Sequence, residues 1–93
     1  MRQNVYSIRD RCSKLYDRPW VAHSDAAAVR SFTDIATDEE HPIGRHPEDF
    51  TLFRIGTWDE QEGVLKGEAA EKVVNGAEVQ TAEVIEFQSE ENS

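Results

Sequence analysis

The sequence predicts an α+β domain: a small antiparallel sheet in β-β-α-β-β order, with one helix packed on a face and a flexible acidic C-terminal tail. Three observations predict it. Short β-rich segments flank a single amphipathic helix. That helix carries a clear start signal at Ser24-Asp25 and an apolar stripe at helical spacing. A strand apolar on both faces then leads into an acidic, turn-rich segment. A chain of 93 residues holds one domain, here assigned to residues 1–80, with an acidic tail over 81–93.

Val5-Tyr6-Ser7-Ile8 is β-rich and reads as the first strand. Asp10 to Arg18 is polar and reads as a loop. Pro19-Trp20-Val21-Ala22 forms a short second strand, since Pro is tolerated at a strand entry or edge. Ser24 then caps a helix, and Asp25 suits its positive end. Ala26, Ala27 and Ala28 favour helix, and Val29, Phe32, Ile35 and Ala36 line one face. Asp38, Glu39 and Glu40 oppose the dipole at a helix C-terminus, so the helix ends near Thr37 or Asp38.

His41 to Asp49 reads as a loop, rich in Pro and Gly. Phe50 to Gly56 is the third strand, with Phe50, Leu52 and Arg54 on one face and Thr51, Phe53 and Ile55 on the other. Apolar residues on both faces place it centrally in the sheet. Thr57 to Leu65 forms a hairpin with its turn at Asp59 to Gly63. Two readings remain for the next segment. Gly67 to Val74 forms a short helix stopped by Asn75-Gly76, or Asn75-Gly76 is a hairpin turn between Lys72–Val74 and Ala77–Val79. Val84 to Phe87 is an edge strand or a partner-binding segment, and residues 88–93 read as disordered.

Composition bounds the function. The net charge is -9, which argues against tight non-specific binding to a phosphate backbone. The charge is uneven: Arg2, Arg9, Arg11, Lys14 and Arg18 face only Asp10 and Asp17 within the first 22 residues. This basic patch is a solvated edge or a docking site for an acidic surface or a few phosphates. A single cysteine, Cys12, excludes an internal disulfide and points to a reducing compartment. No apolar run is long enough to span a membrane, and no secretory signal core is present, so a cytosolic protein without a membrane partner is expected.

The chemistry-bearing residues do not form a catalytic set, and an enzyme is not expected. His41 and His46 sit near Glu39, Glu40, Glu48 and Asp49, but each histidine precedes a proline, and shaping the loop is their expected role. No metal and no cofactor are expected. Arg9, Arg11 and Lys14 surround Cys12 without a nearby base, so it reads as a plain thiol. Glu48-Asp49 and Asp59-Glu60 read as turn residues. Tyr6, Tyr16 and Trp20 interleave with Arg9, Arg11, Lys14 and Arg18, a pattern that stacks bases and holds phosphates of single-stranded DNA. Arg9, Arg11, Lys14, Arg18 and Trp20 are therefore the candidate nucleic-acid contacts, although Tyr6 and Trp20 read more readily as core or strand residues in so small a domain.

Val5 to Asp10, Ala28 to Asp34 and above all His46-Pro47-Glu48-Asp49-Phe50-Thr51-Leu52-Phe53-Arg54-Ile55-Gly56-Thr57-Trp58-Asp59 resemble the small nonstructural protein of gokushoviruses. These are microviruses with single-stranded DNA genomes that infect bacteria. The resemblance covers roughly residues 4–65, and residues 66–93 match poorly. It implies a nonstructural protein of the host bacterial cytoplasm, absent from the mature virion. By analogy it implies a part in single-stranded DNA replication or in the switch to genome packaging. Expected partners are phage or host proteins of those processes, single-stranded DNA, or a second copy through a sheet edge. Inhibition of a host protein is a further alternative. Within the shared segment, His46, Pro47, Glu48 and Asp49 have two readings: a structural turn, fixed by Pro47 and by Asp49 hydrogen-bonding backbone amides, or a candidate partner-binding loop that offers Glu48 and Asp49 to a basic partner.

Overall fold

The computed structural model describes residues 2–79. Strand β1 (Arg2–Asp10) is longer than its β-rich centre predicts. It is paired along both edges, which extends it beyond its local propensity. Strands β2 (Leu15–Tyr16) and β3 (Trp20–Ala22) share one edge of β1, and β4 (Phe50–Asp59) takes the whole of the other. β5 (Val64–Asn75) pairs with the far side of β4. The result is one antiparallel sheet of order β2-β1-β4-β5, with β3 joined to β1. The α+β class is as the sequence predicts, and β4 is central.

Helix α1 (Asp25–Ala36) matches its sequence signals. The Ser24 hydroxyl accepts the Ala27 amide at 3.2 Å, and Thr37 closes the C-terminal turn. Ala28, Phe32 and Ala36, spaced by four, point at the sheet and are fully buried. They meet Tyr6, Ile8 and Leu52 from alternate positions of β1 and β4, joined by Ile43 and Val79. Full burial of such a side chain stabilises the fold by about 1.5–3 kcal/mol. A second tie is polar: the Tyr6 hydroxyl donates to Asp25 at 2.5 Å. Burial first, and that hydrogen bond second, push the Tyr6 phenol from its ordinary 10.0 up to about 12.

Three expectations are corrected. The segment Asp10 to Arg18 is not wholly loop, because Arg9 and Asp10 recruit Tyr16 and Leu15 into β2. The segment His41 to Asp49 holds a short helix α2 (Pro42–Arg45) and a 3-10 turn over Pro47–Asp49. Pro42 ends any continuation of α1 but is well suited to the first turn of α2, where the His41 imidazole caps the Ile43 amide at 3.1 Å. The segment 67–74 is neither helix nor a new hairpin arm: it is β5. The open edge of β4 overrides the helical preference of Glu68-Ala69-Ala70-Glu71-Lys72, at the cost of two register irregularities. After Asn75 the chain turns helical at 76–79. The edge strand expected at 84–87 and the tail at 81–93 lie outside the described residues.

The turn from β4 to β5 forms where the sequence places it. The Asp59 carboxylate accepts the Gln61 and Glu62 amides at 3.0 and 3.1 Å, and Gly63 supplies a φ of +66°. Those amides, Glu62 foremost, hold the Asp59 carboxyl below its ordinary value.

Phe32→Ala should cost about 3–5 kcal/mol of unfolding free energy, read from urea denaturation. A loss below 1 kcal/mol would mean that α1 does not close the core. The raised Tyr6 phenol gives a pH signature. Its folded value exceeds its unfolded value, so its contribution is complete below pH 10 and is lost as pH rises through 12. The stability difference between the natural protein and Tyr6→Phe should therefore shrink over that window; a constant difference would refute the coupling.

Candidate functional site

Strand alternation sorts the sheet residues into two faces. On the helix side stand Tyr6, Ile8, Asp10, Leu52, Arg54, Asp59, Glu71 and Val74. The opposite side carries Val5, Ser7 and Arg9 from β1, with Tyr16 and Val21 beside them. Thr51, Phe53 and Trp58 of β4 and Leu65, Lys72 and Asn75 of β5 complete it. An irregularity at Ile55 reverses the alternation in β4, which brings Trp58 to the same face as Phe53.

No described helix covers this second face. Tyr16 is 45% exposed, Val21 42% and Leu65 65%. Tyr16 and Phe53 meet edge to face with centroids 5.6 Å apart, and the Arg9 guanidinium lies 6.0 Å from the Tyr16 ring centre. Ser7, opposite Phe53 on the same face, is buried and donates to the Asp17 carbonyl at 2.6 Å. Charge is sorted as well. Among the paired positions, the open face carries Arg9 and Lys72 and no carboxylate, while Asp10, Asp59 and Glu71 all fall on the helix side. Lys72 is bound to Glu78 at 2.7 Å.

The basic patch expected from the first 22 residues is dispersed. Of its members at paired positions, Arg9 stands on the open face and Arg2, opposite Asp59, on the helix side. Trp20 lies on the helix side against Tyr6, with ring centroids 6.2 Å apart. Arg11 forms an ion pair with Asp49 at 2.5 Å. Lys14 turns the chain into β2 with a φ of 63°. Arg18 is exposed in the following loop, its amide bound to the Asp17 carboxylate at 2.7 Å. Phe53 and Trp58 were not among the contacts read from the sequence. The alternation of Leu52 and Phe53 carries a signal for Phe53; the reversal that aligns Trp58 has no such signal.

The candidate loop forms a second surface. Pro47 is buried, His46 and Glu48 are exposed, and Asp49 lies between. The Asp49 amide donates to the His46 carbonyl at 3.0 Å, closing the 3-10 turn. β5 fastens it from behind: the Asn75 side chain donates to the carbonyls of Glu48 and Phe50 at 3.1 and 3.2 Å. A Cβ on Gly76 would stand 2.2 Å from the Pro47 carbonyl, so this approach needs glycine. From the front, Asp49 receives Arg11 on one oxygen and the Cys12 thiol, at 3.6 Å, on the other. The Asp49 charge is the main cause that raises the Cys12 thiol above its ordinary range, followed by burial. The hydrogen bond to Asp49 raises the Arg11 guanidinium further above its ordinary value.

The sequence model of the Phage ORF5 protein family matches residues 3–79 of this chain. The chain belongs to that family and is a phage protein. The match continues past residue 65, through β5 and the helical turn that follows. No curated protein and no solved structure matches the chain. No helix among the described residues is long and apolar enough to cross a membrane.

Removing the Asp49 charge should lower the Cys12 thiol pKa and raise its thiolate fraction. Asp49→Asn is therefore expected to react several-fold faster with an alkylating reagent at pH 8 than the natural protein, and an unchanged pH–rate profile would refute the coupling.

Proposed function

We propose that this member of the Phage ORF5 protein family acts by binding, in the single-stranded DNA replication or packaging stage of a phage, and that it holds single-stranded DNA on the sheet face that no described helix covers. The observation that carries the reading is the Tyr16–Phe53 pair flanked by Arg9, on a face without carboxylates at its paired positions. Every base presents a π-face, so aromatic side chains on an open sheet take bases without regard to sequence, and a guanidinium beside them meets the phosphate or stacks in turn. Trp58 and Leu65 extend the apolar strip towards the β4–β5 turn. The net charge of -9 opposes a polyanion at long range, which suits reversible contact rather than tight coating.

The resemblance to the gokushovirus nonstructural protein supports the setting: a protein of the infected bacterial cytoplasm, outside the mature virion, working near the switch from duplex replication to single-strand synthesis. A protein partner in replication or packaging is the second reading. It is favoured by Glu48, which is exposed on a turn held rigid from both sides and is offered to a basic surface.

The test is fluorescence anisotropy of a labelled oligothymidylate across a salt series. Tyr16→Ala and Phe53→Ala should each weaken binding by about 1–3 kcal/mol. Arg9→Ala should lower the slope of log affinity against log salt by about 0.7, the share of one phosphate contact. Variants must keep the natural unfolding midpoint to count. Absence of binding at low salt, or binding indifferent to Tyr16→Ala and Phe53→Ala, overturns the reading and leaves the protein-partner alternative.

A further inference from the structure

We propose that His46, Glu48, Asp49 and Cys12 form a site for a divalent transition-metal ion of borderline softness, Zn²⁺ being the best match. The first three each present one donor atom, and these atoms all lie within 4.8 Å of one another. The 3-10 turn explains the convergence. Three residues complete one turn, so His46 and Asp49 fall on the same side, and their backbone hydrogen bond of 3.0 Å fixes the spacing. Cys12 stands outside that converged trio, beside Asp49, and would swing in from a different element as the fourth donor. The turn after β1 brings the Cys12 sulfur to 3.6 Å from Asp49, while that carboxylate's other oxygen takes Arg11.

The donor chemistry selects the ion. One imidazole nitrogen, two carboxylate oxygens and one thiolate sulfur suit Zn²⁺, which accepts N, O and S in a tetrahedron. Ca²⁺ and Mg²⁺ take oxygen donors and leave the sulfur and the imidazole unused. Metal–donor bonds of about 2.0–2.3 Å require the donors to draw somewhat closer than they stand, a side-chain rotation on an exposed rim. His41, the other histidine of this region, is excluded because its Nδ1 already accepts the Ile43 amide. Glu48 and His46 are free to turn: the 3-10 turn is held through the Glu48 carbonyl, and the His46 side chain does not cap it.

Binding converts the Cys12 thiol to a thiolate: the S–H bond breaks, the proton passes to solvent, and the S–Zn bond forms. Affinity therefore rises with pH. Arg11 competes for Asp49 and is displaced towards solvent, where 71% of its side chain already lies. The ion would tie the β1–β2 turn to the start of β4, across the gap now closed by Arg11.

Isothermal titration of the full chain with ZnCl₂, without DNA, tests the site. One equivalent should bind. His46→Ala and Glu48→Gln should each weaken binding at least about tenfold, in line with the loss of one ligand. Arg11→Ala should tighten it by freeing Asp49. With CoCl₂, the natural protein should show a sulfur-to-cobalt charge-transfer band that Cys12→Ser lacks. All four side chains stand on exposed turns or at their rim, and unchanged unfolding midpoints will show that the variants fold. Failure to bind Zn²⁺ at micromolar concentrations overturns the proposal, as does binding that survives His46→Ala unchanged. A cobalt spectrum without the sulfur band removes Cys12 and with it the four-donor site.

Discussion

One helix covers one face. A sheet presents two faces, and α1, with 12 residues and a length of about 18 Å, reaches only part of one of them. β4, with 10 residues, runs about 33 Å. The pairing of Phe32 with Tyr6, Ile8 and Leu52 concentrates the apolar core on the helix side. The second face must then protect its own backbone with whatever side chains it carries. There Tyr16, Phe53 and Arg9 pack together, and Ser7, opposite Phe53, is buried although no described helix covers that side. The open aromatic surface is thus a consequence of size: the described part of the chain supplies a single helix of more than one turn.

The same constraint sorts the charge. Asp25 is held at the N-terminal end of α1 by Tyr6, and Arg54 and Glu71 pair at 2.6 Å on that side of the sheet. Acids spread along α1 and the following loop add to them, so the negative charge gathers where the helix is. Across the sheet, about a Debye length away, only cations stand at the paired charged positions. Net charge is therefore a poor guide to what this protein touches. Short-range contacts on the open face are decided by Arg9 and its aromatic neighbours, while the total of -9 sets the long-range approach.

The helix was legible in detail because its signals are local: a hydroxyl cap, an acid at the positive end, apolar residues spaced by three and four. The central strand was legible because both of its faces are apolar. β5 was legible only in part: the hairpin gives its start at Val64-Leu65 and one of two readings made Lys72–Val74 a strand, but Glu68 to Lys72 reads as helix, and it is the edge of β4 that draws the whole segment into the sheet. The site was legible by halves. Arg9 and the loop His46 to Asp49 were singled out from residue type and spacing. Trp20 shares a neighbourhood with Arg18 in sequence, yet one step of alternation sends it to the helix side, against Tyr6. Trp58 reaches the open face only through the irregularity at Ile55, which no composition rule announces. The nearness of Cys12 to Asp49 spans 37 positions and belongs to tertiary structure alone.

The turn at 46–49 shows how the two surfaces are joined. It precedes β4 directly, so its position fixes where Phe50, Leu52 and Phe53 enter the sheet. Asn75 and Gly76 hold it from one side, and Arg11 holds it from the other. Val79, just beyond that clamp, is the last described residue of the core, and the family match ends at the same position. A clamp built from both ends of the described chain is a costly way to hold a loop whose only task is to connect α2 to β4; a few turn residues would do that. It is a reasonable way to hold exposed side chains in a fixed arrangement. The turn leads directly into β4, whose register with β1 places Phe53 opposite Ser7 and within ring contact of Tyr16.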